Sequence, residues 1–168
     1  MLNRFHTYYA SPIGVMHISG TASVVDTIEF IDNRDEHHQQ HPSSLVNTPL
    51  AVECTEQLIQ YFQGARRVFE LPLHQEGTPF QTKVWNELAG IPFGKTISYS
   101  DMARRLGDLK AIRAAASANG KNRIAIIIPC HRVVGSRNDL VGYMGGLWRK
   151  KWLLEHENKI AHGVQTLF

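Results

Sequence analysis

Around residue 77 this chain changes both its hydrophobic period and the sign of its charge. Before that point, apolar and polar residues alternate in short runs, as in strands with one buried face. Beyond it, apolar residues recur at three- and four-residue spacings, as on amphipathic helices. Residues 1–77 hold four Lys and Arg against nine Asp and Glu, a formal charge of −5, whereas residues 78–168 hold fourteen against six, a formal +8. The chain therefore reads as two small domains, 1–76 and 77–168. The first is α/β, an antiparallel sheet plus one helix; the second is mainly α and carries a helix-turn-helix. A basic half beside an acidic one fits a nucleic-acid-binding domain, and it also fits a solvated basic surface.

In the first half, Phe5 to Ala10, Val15 to Ser19 and Val24 to Ile31 are expected strands, with Ser11-Pro12-Ile13-Gly14 as the first turn. Asp32 to Ser44 reads as a polar, His-rich loop. Thr48-Pro49 opens a helix whose apolar face carries Leu50, Cys54, Leu58, Ile59 and Phe62, and Gly64 closes it. Val68 to Leu73 is a further strand candidate, and His74 to Thr78 a linker. In the second half, Pro79 to Leu88 places Phe80, Val84, Trp85 and Leu88 at helical spacing. Ser100 is the expected cap of a helix reaching Leu106. Gly107-Asp108 turns the chain into a small-residue helix over Ala111 to Asn119, and two short helices around a tight glycine-containing turn suggest a helix-turn-helix. Ile124 to Ile128 reads as a buried strand, and Leu147 to Glu157 as the closing helix.

No apolar run approaches the ~20 residues that span a bilayer, and Met1 to His6 lacks the apolar stretch of a signal peptide. Two cysteines, Cys54 and Cys130, could pair, but a reducing cytoplasm is the simpler expectation. His37, His38 and His41 invite a metal reading, yet no cysteine lies near them and a solvated loop is the favoured reading.

The chemistry concentrates in Pro129-Cys130-His131-Arg132-Val133-Val134. A thiolate is a strong nucleophile, and a nearby histidine activates a thiol as a base or through its charge. Adjacent residues of an extended segment point to opposite sides, so contact between Cys130 and His131 requires a turn or a bridging water. Cys54, on an apolar helix face, fits the commoner fate of a structural cysteine.

These residues resemble the active-site signature of the O6-alkylguanine-DNA alkyltransferases. The resemblance extends through Gly77-Thr78-Pro79-Phe80-Gln81, Ile91 to Tyr99, Ala118 to Asn122, Gly142 to Leu147 and Lys150 to Glu157. It is carried by strong motifs from about Gly77 to Glu157, and by general pattern alone before that. It implies a protein that flips O6-alkylguanine out of duplex DNA and transfers the alkyl group, once and irreversibly, to Cys130. It further implies that His131 is the base, acting through a water, that Glu157 orients it, and that Asn122 ties down the preceding turn. Tyr99 would engage the target phosphate and the flipped base. Arg113 would fill the gap in the base stack from a helix whose small residues, among them Ala114 and Ala118, let it approach the minor groove. The carbonyls of Cys130 and Val133 would accept from the exocyclic amine. Arg132 is counted with the DNA- and substrate-contacting group. Tyr143, Met144 and Gly145 would shape the alkyl pocket, with Lys150 near O6.

The expected partner is double-stranded DNA carrying O6-alkylguanine, with O4-alkylthymine open, and the protein would be a monomer. No cofactor is implied, because the damaged base is the alkyl donor. Relatives with a structural zinc imply no metal here, where paired N-terminal cysteines are absent. The sequence departs from the family pattern at Arg123, which replaces a common proline and would loosen the turn or contact a phosphate. It departs again at Met144, which replaces a small residue and would narrow the pocket or point outward. Two alternatives belong to other classes: a non-catalytic damage-sensing DNA binder, and a cysteine hydrolase using Cys130, His131 and Glu157.

Overall fold

The computed structural model describes residues 3–32 and 48–163, and the chain divides into two compact units, Met1–Gln75 and Glu76–Phe168. The first unit is a three-stranded antiparallel meander, β1 (Arg4–Ser11), β2 (Gly14–Thr21) and β3 (Val25–Phe30), with one helix, α1 (Pro49–Phe62). Alternation sends Phe5, Met16, Ile18, Val25 and Ile28 into a core that also holds Ala51, Cys54, Leu58 and Tyr61 of α1. Each fully buried aliphatic side chain there contributes roughly 1.5–3 kcal/mol. The bulge in β2 at Ser19 and Gly20 requires glycine, since a Cβ at Gly20 would lie 2.1 Å from the Val24 carbonyl.

Thr48 caps α1 through Ala51 N, with Pro49 in the first turn, as the sequence predicts. The strand expected over Val68 to Leu73 is reduced to a single parallel bridge between Val25 and Leu73. Pro72 offers a carbonyl to Val25 N but has no N–H with which to extend a ladder. Buried Gln57 exchanges hydrogen bonds with the Glu70 backbone and holds that segment instead. His37, His38 and His41 lie outside the described residues. Among the described ones, no cluster of three or more His, Cys, Asp or Glu is arranged to hold a metal.

The second unit is helical, with α2 (Pro79–Ala89), α3 (Tyr99–Arg105), α4 (Ile112–Gly120) and α5 (Leu147–His162). Two short parallel strands, β4 (Ile97–Ser98) and β5 (Val133–Val134), pair Ile97 with Val133 and Ser98 with Val134. Thr78 and Gln81 form a reciprocal capping box on α2. The cap of α3 is Ser98, not Ser100: Ser98 and Asp101 form a second capping box, which places Ser100 inside the helix. A 3-10 turn over Leu109–Ala111, capped by Asp108, leads into α4, completing the helix-turn-helix. Trp85 Nε1 donates to the Ala118 carbonyl at 2.9 Å and fastens α4 to α2.

Ile124 to Ile128 is a buried double turn rather than a strand. Asn122 accepts from Ile124 N and donates to the carbonyls of Ile124 and Ile128, at 3.1, 3.3 and 2.9 Å. Its carboxamide thus takes backbone groups that a sheet would need. The turn places buried Ile126 at φ +69°, a conformation that costs a β-branched residue on the order of 1–2 kcal/mol. Its product is a sharp reversal that delivers Pro129 and then a 3-10 turn over Cys130–Arg132. Among the described residues, no helix is long and apolar enough to cross a membrane.

Candidate active site

Helix α5 buries three ionisable side chains, Arg149, Lys150 and Glu157, of which Lys150 at 0% exposure and Glu157 at 1% lie seven residues apart. That spacing puts both on one face, two turns apart. Buried charges require partners, and both find them on the Cys130–Val134 segment. Glu157 Oε2 lies 2.6 Å from His131 Nε2, and Glu157 Oε1 accepts from Arg132 Nε at 2.8 Å. A second guanidinium nitrogen, Arg132 Nη2, reaches Oε2 at 3.2 Å, and Gly94 N reaches Oε1 at 3.3 Å. Lys150 Nζ donates to the carbonyls of Val133, Val141 and Gly142 at 2.7, 2.9 and 3.2 Å.

Burial alone would raise the Glu157 carboxyl, but His131 and Arg132 overcome it and hold it well below the usual carboxylate range. Burial pushes the His131 imidazole below its ordinary value, against the pull of Glu157. The imidazole is therefore neutral near pH 7. Its hydrogen bond to the carboxylate assigns the proton to Nε2 and leaves a lone pair on Nδ1. His131 Nδ1 is buried and has no hydrogen-bond partner among the described residues. Burial raises the Cys130 thiol, while contact from the Asn122 amide and the charge of Lys150 offset part of that shift. The resting sulfur is thus a protonated thiol that needs a base. Lys150 itself is pushed down to about 8 by burial, with Cys130 opposing.

Two more buried polar atoms near Cys130 lack partners among the described residues, Asn119 Oδ1 and Tyr143 Oη. Native proteins leave few such atoms, and here three gather around one cysteine. Burial, and then the Cys130 charge, raise the Tyr143 phenol well above its ordinary value. Tyr99 is half-buried and its Oη reaches Val141 O at 3.5 Å. Arg113 and Ala114 stand exposed on α4. Gly145 gives its carbonyl to Arg149 Nη1 at 3.0 Å.

Two expectations are corrected. Arg132 is not at a DNA-facing surface: it is 6% exposed, and its guanidinium is spent on Glu157 and on the Ile91 carbonyl, 2.6 Å away. Ala118 is 3% exposed and faces the core, so small residues on α4 serve helix packing as well as its outer face. The Lys150 ammonium gives its protons to three backbone carbonyls and tethers the 141–142 loop to β5. Both departures from the family pattern resolve. Arg123 Nη2 donates to the Glu76 carbonyl at 3.0 Å, and Met144 is 81% exposed and points outward. Sequence reasoning missed the part of Asn119. Its signals were an amide near the end of a small-residue helix and its place in the Ala118 to Asn122 stretch.

Residues 79–159 match the family model described as the DNA binding domain of 6-O-methylguanine DNA methyltransferase, and residues 5–75 match the ribonuclease-like domain of the same proteins. The chain is 41% identical over 159 residues to a methylated-DNA–protein-cysteine methyltransferase of Mycobacterium bovis, covering 94% of each. The crystal structure of Mycobacterium tuberculosis O6-methylguanine methyltransferase aligns with a TM-score of 0.84 at 37% identity over 96% of both chains. A structure of the Mycobacterium tuberculosis protein in complex with DNA aligns at 0.82, with 37% identity over 93% and 94%. With both halves matched in order and the identity spread over nearly the whole length, this chain belongs to the 6-O-methylguanine DNA methyltransferase family.

Proposed function

We propose that this protein repairs DNA by flipping O6-alkylguanine out of the duplex and moving its alkyl group, once and irreversibly, onto Cys130. The observation that carries this function is the buried Glu157–His131 pair, whose Nδ1 has no partner among the described residues, next in sequence to the buried, neutral Cys130 thiol. Nδ1 takes the thiol proton through a water, and Glu157 stabilises the imidazolium that forms. Cys130 Sγ attacks the alkyl carbon in line, the carbon–oxygen bond breaks, and guanine leaves with the electron pair. The proton held by His131 then neutralises the base. A thioether offers no leaving route, so each molecule acts once, and no cofactor enters the balance.

Flipping costs a few kcal/mol. Exposed Arg113, with Ala114 beside it, is the side chain suited to fill the vacated stack from α4. Tyr99 would engage the flipped base, the carbonyls of Cys130 and Val133 its exocyclic amine, and the Tyr143–Gly145 loop would shape the alkyl pocket. The setting proposed is the cytoplasm, where thiols stay reduced, with the protein acting as a monomer.

Intact mass spectrometry after mixing with a duplex carrying one O6-methylguanine tests this function. The expected result is one hydrogen replaced by one methyl, mapped to the Cys130 peptide and saturating at one per protein. A bound duplex with no mass change would instead support the damage sensor. Many turnovers of a simple ester would support the hydrolase.

A further inference from the structure

Asn119, near the C-terminal end of α4, lies outside the Glu157–His131 relay but between groups that face the reacting centre. It is 6% exposed. Its Nδ2 donates to Tyr99 Oη at 3.3 Å and to the Cys130 carbonyl at 3.4 Å. Tyr99 Oη reaches the Val141 carbonyl at 3.5 Å, and Asn119 Oδ1 is buried with no partner among the described residues. A buried carboxamide with a purely structural part satisfies both ends. This one spends its protons on a tyrosine hydroxyl and on the backbone of the nucleophile, and leaves its acceptor unused.

We propose that Asn119 is a positioning residue for alkyl transfer, aligning the Tyr99 hydroxyl as a hydrogen-bond donor to the departing guanine. The inference rests on the alkyl-transfer function above. A phenol has one proton to give, and Asn119 occupies an acceptor site on the oxygen, so the proton must point elsewhere. Its present partner, the Val141 carbonyl, lies at the outer limit of hydrogen-bond length. A stronger acceptor displaces such a contact at small cost, and the guanine anion offers one on its ring nitrogens. Donation into the phenol oxygen also strengthens the O–H as a donor. Burial and the Cys130 charge push the Tyr99 phenol up, and the Asn119 bond opposes them. The bond to the Cys130 carbonyl fixes donor and nucleophile to one carboxamide, and in-line displacement needs that fixed relation. Asn119 moves no proton itself; the bonds broken and formed are those of the transfer step.

A double-mutant cycle decides the matter. Single-turnover methyl transfer from a duplex with one O6-methylguanine is compared for the wild type, Asn119→Leu, Tyr99→Phe and the pair, with duplex affinity measured alongside. The expected result is roughly tenfold slower transfer for Asn119→Leu with unchanged affinity. In the Tyr99→Phe background the same change should cost less than about twofold. Equal slowing in both backgrounds, or no slowing in either, overturns the inference. Asn119→Asp keeps the size but not the donor, and the same coupling is expected. Wild-type speed in that variant overturns the inference even if the leucine variant fails to fold. A folded wild-type protein that transfers nothing would overturn the alkyl-transfer function instead.

Discussion

Cys54 and Cys130 are both free thiols, both buried, and both shifted upward by burial, Cys54 to about 12. They differ in what surrounds them. Cys54 sits in the apolar core of the first unit, and the charge of Glu53 pushes it further in the same direction. Cys130 has an amide and an ammonium drawing it down, and the next residue holds an unshared imidazole nitrogen. Burial by itself makes a thiol inert. The reactivity proposed for Cys130 rests on polar groups whose own burial is supported by an ion pair and a set of carbonyls.

The sharpest break of this comparison exchanges the two sites. Cys130→Ala should abolish methyl transfer outright and keep duplex binding. Cys54→Ala should transfer to full stoichiometry and lose about 1 kcal/mol of stability. Mass spectrometry and thermal unfolding read both. Transfer surviving in Cys130→Ala would move the nucleophile elsewhere.

Next in size is the support of the base. Glu157→Gln should slow transfer roughly 100-fold and cost about 3 kcal/mol of stability, because Arg132 would be left buried without its carboxylate. The pH dependence follows from the shifts. His131 lies below its ordinary value of 6.5, so it is neutral at pH 7, and transfer should fail only as pH drops through that depressed value. The Glu157 carboxyl lies below its ordinary 4.5, so its stabilisation is complete above 4.5 and is lost as pH falls further. In Glu157→Gln that acid loss should be absent. An unchanged acid unfolding profile would mean that the carboxylate is not held as its contacts imply.

Much of this contrast was legible beforehand. Thr48-Pro49 announced α1 because capping is local chemistry, and apolar spacing announced α2. The fate of Cys54 followed from helical spacing. The resemblance brought Cys130, His131, Glu157 and Asn122 together, but it did not show how. Ile124 to Ile128 looked like a strand because an apolar run reports burial and not backbone direction. Only the side chain of Asn122 decides the turn. Ser100 lost the cap to Ser98 because the pairing with Asp101 becomes visible once β4 ends at Ser98. Arg132 was placed with the DNA contacts because the groups that bind it, the Glu157 carboxylate and the Ile91 carbonyl, come from distant stretches of chain.

The outer face of α4 offers a smaller break. Arg113→Ala should slow repair of duplex substrate by about tenfold, a fraction of the flipping cost, and leave reaction with free O6-methylguanine within about twofold. Rates on the two substrates separate stack filling from chemistry. Equal loss on both would place Arg113 in the support of Cys130, despite its exposure.

The smallest effect belongs to Met144. Its neighbour Tyr143 turns its hydroxyl into the protein, whereas Met144 is 81% exposed. Side chains that alternate in and out of a loop divide its work, so Tyr143 would wall the proposed pocket while Met144 faces outward. Met144→Ser should therefore change methyl and benzyl transfer by less than about twofold, since a largely exposed side chain carries little energy. Faster benzyl transfer in that variant would mean that the loop turns over when substrate enters, bringing the thioether against the alkyl group. The polar enclosure that distinguishes Cys130 from Cys54 would then be completed only on binding.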